Sequence, residues 1–270
     1  MKKIIREIFC LLAICFFTAC GNNSTENQAS TSSDEATDNK GLEDKSYIIG
    51  LDDTFAPMGF RDEKGELVGF DIDIAKDLAN KLDIEIEFLP IDWSMKETEL
   101  NQGNIDMIWN GYSITEERKE KVAFSDPYMS DRQFIVTLKE SNINSKKDLA
   151  GKTITVQENS SAIDAMNKDQ EFVDSIGQQI EYPTNNECFA DIESKRCDAI
   201  VIDELYARYY IKTSNKEDKF KILEETFDKE DFAIGMRKED KALLETVNKA
   251  LKEQREDGTY DKIYKKWLAE

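Results

Sequence analysis

The stretch NIDMIWNGYSITEERKEKVAFSDPY, residues 104–128, is the part of the chain that best indicates its fold. Residues 105–109 are largely apolar, which predicts a short buried strand. Asn110 and Gly111 follow, where the backbone can turn or approach another segment closely. The stretch therefore begins with a buried strand that ends in a polar turn.

A helix start follows this turn. Ser113 and Glu116 have the spacing of a capping box, and Thr115 is a second candidate for the N-cap. Arg118 falls within the first helical turn. Its planar guanidinium can hold a small carboxylate with two hydrogen bonds, so a carboxylate site is predicted here. On spacing alone, the alternative is a surface arginine on a helix rich in Glu and Lys.

Strand and helix patterns alternate from residue 47 to the end of the chain. Such alternation predicts an α/β fold with parallel sheets covered by helices, and its two rounds predict two α/β lobes. The predicted strands are 47–51, 84–89, 107–110, 134–138, 153–156, 179–182, 199–202, 219–223 and 232–236. The predicted helices are 70–82, 95–102, 115–122, 146–150, 161–167, 186–195 and 241–268.

The N-terminus has the pattern of a secretory signal peptide over residues 1–20. A basic start is followed by an apolar core that is short for a membrane span. The sequence FTACG then resembles a lipoprotein cleavage box, although Phe17 stands where Leu is usual. This resemblance implies that Cys20 is diacylated and anchors the protein to the cell membrane. An ordinary signal with an incidental cysteine is the alternative.

Residues 21–46 have no aromatic side chain and little to bury, so we expect a disordered tether. Removal of residues 1–20 takes away three cations and one anion, which changes the net charge from −20 to −22. So acidic a protein is not expected to bind nucleic acid, whose phosphates it would repel.

The chain has no histidine, which removes the commonest general base and metal ligand. No zinc-binding pattern is present, and no cofactor is expected. Of the five cysteines, only Cys188 and Cys197 remain beyond residue 20. Outside the cytoplasm the two can form a disulfide, and two buried thiols are the alternative.

Several motifs occur in an order that resembles the amino-acid-binding proteins of bacterial ABC importers, solute-binding family 3. They are IIGLDDTFAPMGF, GELVGFDIDIAKDLANKL, NGYSITEER with FSDPY, LAGKTITVQENSS, CDAIVID and LKEQREDGTYDKIYKKWL. The resemblance implies a type II periplasmic-binding-protein fold, with two α/β lobes, a ligand cleft and two hinge strands. Lobe 1 would comprise residues 47–130 and 232–270, and lobe 2 residues 134–224. The hinge segments would fall at residues 130–133 and 224–231.

The resemblance also implies a pocket for an amino-acid zwitterion. Arg118 would bind its α-carboxylate and Asp203 its α-ammonium. Phe55 and Trp93 would stack on the ligand, and Asp52 would contact its side chain. Packing of the two aromatic residues, a turn role for Asp52 and a helix-cap role for Asp203 are the alternatives.

Further polar groups complete the implied pocket. They lie at the end of a lobe 1 strand and ahead of a lobe 2 helix, where hydroxyl and N–H groups can meet an anion. These residues are Asn110, Gly111 and Ser113 in lobe 1, and Gln157, Ser160 and Ser161 in lobe 2. Asn159 stands where the family often has Gly.

The function implied is that of a monomeric receptor on the extracytoplasmic face, which delivers a free amino acid to ABC permease subunits. Because the resemblance implies that Asp52 faces the ligand, and no second pocket Arg is evident, a polar or basic amino acid is favoured over an acidic one. We expect a binding protein and no enzyme. A dehydratase- or lyase-like enzyme on the same fold and the sensor domain of a receptor are the alternatives.

Overall fold

The computed structural model of the protein describes residues 46–269. The predicted signal peptide, the lipid site at Cys20 and nearly all of the predicted tether lie outside these residues. The described part contains two larger mixed sheets, each with helices packed against it, and one small antiparallel sheet.

The first half of the described chain builds the first sheet and the small sheet. Its strands are β1 (Ser46–Leu51), β2 (Thr54–Phe55), β3 (Gly59–Arg61), β4 (Leu67–Val68), β5 (Glu85–Pro90), β6 (Met107–Ile108) and β7 (Ala123–Phe124). Its helices are α1 (Phe70–Leu82), α2 (Lys96–Gln102) and α3 (Glu116–Lys121), with a 3-10 turn at Trp93–Met95.

The second half builds the second sheet and returns to the first. Its strands are β8 (Met129–Leu138), β9 (Thr153–Gln157), β10 (Gln178–Tyr182), β11 (Ala199–Asp203), β12 (Phe220–Ile222), β13 (Lys229–Phe232) and β14 (Gly235–Met236). Its helices are α4 (Ser161–Asn167), α5 (Gln170–Ser175), α6 (Asn185–Glu193), α7 (Glu204–Thr213), α8 (Lys241–Glu256) and α9 (Thr259–Trp267), with a 3-10 turn at Lys146–Leu149.

Each larger sheet has a parallel core and antiparallel additions. The first has the order β5-β1-β6-β14-β7, with β5, β1 and β6 parallel and β14 antiparallel to both of its neighbours. The second has the order β10-β9-β11-β8-β12, with β8 antiparallel to β11 and β12. The prediction of parallel sheets is therefore wrong for β8 and β14. Both strands enter their sheet from the other half of the molecule, so the β-α-β rule does not set their direction.

We use lobe 1 for the first sheet and its helices, and lobe 2 for the second sheet and its helices. The chain passes between them along β8 and back along β13. The first four residues of β8 pair with β13, from Met129 opposite Phe232 to Arg132 opposite Lys229. This antiparallel pair lies at the predicted hinge segments, whose limits stay a prediction.

Helix α1 shows why these residues fold as they do. Phe70, Ile74, Leu78 and Leu82 repeat at helical spacing, and all four are buried, as the sequence predicted. Each such side chain contributes on the order of 2 kcal/mol through its removal from water. Asp83 ends the helix in a left-handed conformation, and its N–H bonds the carbonyls of the last turn.

Several elements were not predicted from the sequence. They are the β2–β4 sheet, β7, β13, α5 and α7. The predicted tail helix 241–268 is also wrong in part, because it divides into α8 and α9. Gly258 separates them in a left-handed conformation, at φ 76°, that a continuing helix excludes.

Cys188 and Cys197 are buried free thiols in the structure, so of the two alternatives it shows the thiols and not the disulfide. Burial raises the pKa of each thiol to about 12. Both are therefore protonated near neutral pH and are poor nucleophiles.

Candidate functional site

The lobe 1 side of the site is built at one edge of the first sheet. β5, β1 and β6 are parallel neighbours, so their carboxyl ends lie at the same edge. Asp52 and Phe55 follow β1, Trp93 follows β5, and Asn110 follows β6. The strand order thus brings together residues that are far apart in the sequence, as is usual for ligand sites on open α/β sheets.

Asp52 is buried and linked to lobe 2. Its Oδ1 accepts hydrogen bonds from the N–H of Thr54 at 2.9 Å and from the Thr54 hydroxyl at 2.7 Å. Its Oδ2 accepts from Nε2 of Gln157, in lobe 2, at 2.7 Å. Burial nevertheless raises the pKa of this carboxyl, since desolvation penalises its charged form.

Arg118 lies in the first turn of α3 and is almost fully buried. Its NH1 donates to the carbonyl of Ser113 at 2.9 Å, and its NH2 donates to the carbonyl of Asn159, in lobe 2, at 3.0 Å. The guanidinium also stacks over the ring of Tyr112, 4.7 Å from its centre. It is thus held in place and keeps further N–H groups for an anion.

The N-cap of α3 is Thr115, one of the two residues that the sequence offered for this position. Its hydroxyl accepts from the N–H of Arg118 at 3.2 Å. The capping-box prediction from Ser113 to Glu116 is wrong. The Ser113 hydroxyl instead donates to the hydroxyl of Ser161, in lobe 2, at 2.9 Å.

The lobe 2 side of the site is built from the ends of β9 and β11. Gln157 ends β9, and its amide is oriented by the carbonyl of Pro183 at 2.9 Å and by Asn185 at 3.1 Å. Ser160 precedes α4, and its buried hydroxyl has no hydrogen-bond partner among the described residues. Asp203 ends β11. An unpaired, buried polar group such as the Ser160 hydroxyl is expected where a ligand binds.

The electrostatic surroundings of Asp203 are acidic. Burial, followed by the nearby carboxylates of Glu230 and Asp131, raises its pKa well above the ordinary value. A cationic group placed beside Asp203 would relieve this repulsion. The site therefore has an acidic end at Asp203 and a cationic end at Arg118.

Ten of the eleven predicted ligand-binding residues line a single small cavity between the lobes, with about 10 Å³ of free volume. They are Asp52, Phe55, Trp93, Asn110, Gly111, Arg118, Gln157, Ser160, Ser161 and Asp203. The eleventh, Ser113, is buried next to the cavity through its contact with Ser161. Their roles toward a ligand stay predictions.

The two aromatic walls also pack against protein. Phe55 stacks on Tyr206 of lobe 2, with ring centres 5.5 Å apart. Trp93 meets the ring of Tyr112 edge-on at 6.0 Å. The packing alternative thus applies in part, although both aromatics retain a face on the cavity. Gly111 has φ 56°, and a Cβ there would lie 2.7 Å from Cε1 of Phe55. Glycine is therefore required beside this wall.

Several residues of the site were missed from the sequence. Asp71 accepts from the N–H of Gly111 at 2.8 Å and from the hydroxyl of Tyr128 at 2.9 Å, which holds the loop after β6. Its place in the motif GFDIDIA was a usable signal. Lys96 is buried on the same face of α2 as Leu100. A charged residue one helical turn before a core leucine was the sequence signal for this buried lysine.

Lys96 is the second buried cation next to the cavity. Its Nζ donates to the carbonyl of Trp93 at 3.1 Å and to that of Asn159 at 2.9 Å. Burial, and then the charge of Arg118, lower its pKa to about 7. In residues 46–269 no group of side chains could hold a metal ion, and no helix is long and apolar enough to cross a membrane.

Comparison with known proteins places the chain in a family. Residues 47–270 match the model of the bacterial extracellular solute-binding proteins, family 3, and the chain belongs to this family. It is 32% identical to the arginine-binding extracellular protein ArtP of Bacillus subtilis, over 99% of this chain and 98% of the relative.

Solved structures agree with this assignment. One is an ABC uptake transporter substrate-binding protein from Streptococcus pneumoniae with bound histidine, at TM-score 0.81 and 41% identity, covering 84% of this chain and 93% of that one. Another is an ancestral amino-acid-binding protein described as a precursor of cyclohexadienyl dehydratase, at TM-score 0.75 and 36% identity, covering 83% and 96%. The predicted type II periplasmic-binding-protein fold is confirmed, as is the class of extracellular solute-binding receptor.

Proposed function

We propose that this protein is the extracytoplasmic receptor of an amino-acid ABC importer. It binds a free amino acid between its two lobes and delivers it to the permease subunits. Its relatives are described as binding arginine or histidine, and its family consists of extracellular solute-binding proteins.

One observation carries the proposal: a buried guanidinium and a buried carboxyl group line the same cavity. Arg118 of lobe 1 would take the α-carboxylate, and Asp203 of lobe 2 would take the α-ammonium. Phe55 and Trp93 would then enclose the rest of the molecule. Because the two charges come from different lobes, a zwitterion bonds both only when the lobes are closed, which links binding to closure.

The side chain of the amino acid is polar or basic in this proposal. Asp52 and Asp203 are the acidic side chains in the cavity wall, whereas Arg118 is its one cation among the described residues. A ligand carboxylate beside Asp52 would meet a like charge without a partner, which is costly when buried. Gln157 lies 2.7 Å from Asp52 and offers a further polar contact.

The same proposal assigns the protein to the outer face of the cell membrane. The support is the sequence pattern of residues 1–46, in which a signal-like segment ends at Cys20 and a polar stretch follows. Lipid on Cys20 would keep the receptor near its permease, and the tether would leave both lobes free to dock as a monomer.

We propose a binding role and no catalytic one, although one solved neighbour is described as the precursor of a dehydratase. The acids of the cavity are assigned to ligand groups in our proposal. Among the described residues, Asp52 and Asp203 are the acids that line this cavity, and both have a binding role in the proposal.

Isothermal titration calorimetry of the purified protein against the twenty common amino acids and cystine tests the proposal. We expect saturable binding of at least one polar or basic amino acid, with one ligand per protein. Aspartate and glutamate are expected to bind more weakly. If none of these compounds binds, the receptor proposal fails.

A further inference from the structure

Asn159 lies outside the set of predicted ligand contacts, yet it joins the two lobes. It precedes Ser160 in the loop between β9 and α4. Its carbonyl oxygen accepts from Nζ of Lys96 at 2.9 Å and from NH2 of Arg118 at 3.0 Å. Two cations of lobe 1 thus converge on one main-chain atom of lobe 2.

Both cations are buried and depend on such contacts. Lys96 is 1% exposed and Arg118 is 5% exposed. Glu97 is their nearest acid, 3.5 Å from Lys96 and 3.9 Å from Arg118, which is long for a hydrogen bond. A buried cation that loses an acceptor is strongly disfavoured, so the carbonyl of Asn159 matters to the closed arrangement.

The backbone conformation of Asn159 presents this carbonyl. Its φ is 51°, in the left-handed region, which glycine adopts freely and asparagine tolerates. Its side chain is exposed and makes only a 3.2 Å bond from Nδ2 to the carbonyl of Ser94. A larger side chain at this exposed position therefore acts chiefly through the backbone angle.

We propose that Asn159 is a positioning residue for closure. Its left-handed backbone places one lobe 2 carbonyl where Arg118 and Lys96 of lobe 1 both bond it, and this contact slows ligand release. The inference rests on the proposed receptor function. It makes Lys96 a partner of the ligand-binding Arg118, although Lys96 is absent from the cavity wall.

The test compares Asn159→Val with Asn159→Gly, because both lose the side-chain amide and only valine disfavours a positive φ. Dissociation of L-arginine, or of L-glutamine if calorimetry shows tighter binding, is followed by stopped-flow tryptophan fluorescence. We expect about tenfold faster dissociation for Val than for Gly, within the five- to thirtyfold cost of a left-handed residue. Association should be unchanged, and the Gly variant should stay within about threefold of wild type.

Lys96→Met, introduced into both the Asn159→Val and the Asn159→Gly variant, tests the contribution of Lys96. We expect the tenfold ratio of Val to Gly to fall to about threefold, because one of the two donors to the carbonyl is gone. Lys121→Met is the matched control, since Lys121 pairs with Glu117 at 2.6 Å and does not bond Asn159. With this control the ratio should remain about ten.

Two results would overturn the inference. One is equal dissociation rates for the Val and Gly variants, with valine lowering only the thermal midpoint of the ligand-free protein. The other is a ratio that Lys96→Met leaves unchanged. Both presuppose that wild type binds an amino acid. If it binds none, the proposed function fails instead, so the two failures are distinguishable.

Discussion

Arg118 illustrates the residue scale, because one side chain combines three kinds of contact. It bonds a carbonyl in each lobe, stacks on Tyr112 and lines the cavity. The spacing NGYSITEER indicated its place in the helix, but its burial depends on the second lobe. Its substitution should therefore affect both the ligand and the closed arrangement.

We expect Arg118→Ala to weaken amino-acid binding by about 2–5 kcal/mol, since a ligand carboxylate would be buried without its partner. Arg118→Lys should also weaken binding, because one ammonium cannot reproduce the guanidinium fork. Calorimetry measures both. Lys119→Ala, at the exposed neighbouring position, is the control and should bind like wild type. Unchanged affinity in folded Arg118→Ala would contradict the assignment.

Asp203 should distinguish amino acids from their deaminated analogues. Asp203→Asn is expected to weaken an amino acid at least tenfold and its deaminated analogue far less, because only the former carries an ammonium. Because burial and the neighbouring carboxylates raise the pKa of Asp203, binding of that ammonium should favour its ionised form, and proton release is expected at pH values where the carboxyl of the free protein is partly protonated. Titrations in buffers of different ionisation enthalpy measure this release. If the Asn variant releases as many protons as wild type, Asp203 is not their source.

At the scale of elements, the site depends on contacts between element ends. Asp71, in the first turn of α1, accepts the N–H of Gly111 after β6. This bond ties a helix of lobe 1 to the loop that carries Asn110 and Ser113. Burial raises the pKa of Asp71 to about 7, so holding this carboxylate ionised in the folded protein has a pH-dependent cost.

Because the pKa of Asp71 is higher in the folded protein than its ordinary 3.8, this group lowers stability as pH rises from about 4 to about 7. Above that window its contribution is constant. Between pH 5 and 7.5 the loss is roughly 2–3 kcal/mol. Asp71→Asn keeps an acceptor but does not titrate. In urea unfolding, the free energy of unfolding of Asp71→Asn should therefore fall less between pH 5 and 7.5 than that of wild type. The difference should be about the loss given above.

Asp261→Asn, on the exposed side of α9, is the control for Asp71 and should keep the wild-type drop. If Asp71→Asn loses as much stability between the two pH values as wild type does, Asp71 is not the titrating group.

At the scale of the whole molecule, the predictions concern where the receptor acts. Cys20→Ser should leave the protein released or unprocessed, because the lipid acceptor is gone, while amino-acid affinity is unchanged. Fractionation with mass analysis of the N-terminus, and calorimetry on the released form, measure the two effects. Full processing with retention on the membrane would contradict the anchor at Cys20.

Local signals in the sequence were enough for most elements of the fold. The face of α1 formed by Phe70, Ile74, Leu78 and Leu82 was predictable, because helical spacing of apolar residues is a local property. The antiparallel course of β8 and β14 was not. The direction of these two strands depends on the lobe from which the chain enters the sheet. That is set by tertiary pairing and not by local sequence.

The predicted site residues came from motif resemblance, and the structure brings ten of them to one cavity. The hydrogen bonds that Asp71, Lys96 and Asn159 make at the site could not be predicted from the sequence. Asp71 reaches Gly111 across 40 positions, and Lys96 reaches Asn159 across 63. Contacts over such distances leave no periodic pattern in the chain.

The sequence by itself determined the alternation of elements, the family and the residue types of the pocket, because these follow from local spacing and ordered motifs. Only the tertiary structure decided which buried charged side chains lie next to each other and which groups they bond. It places Asp203 beside Glu230 and Asp131, and it directs Arg118 and Lys96 to one carbonyl. Burial and charge proximity depend on distances in space, and the chain sets these only once both lobes have folded.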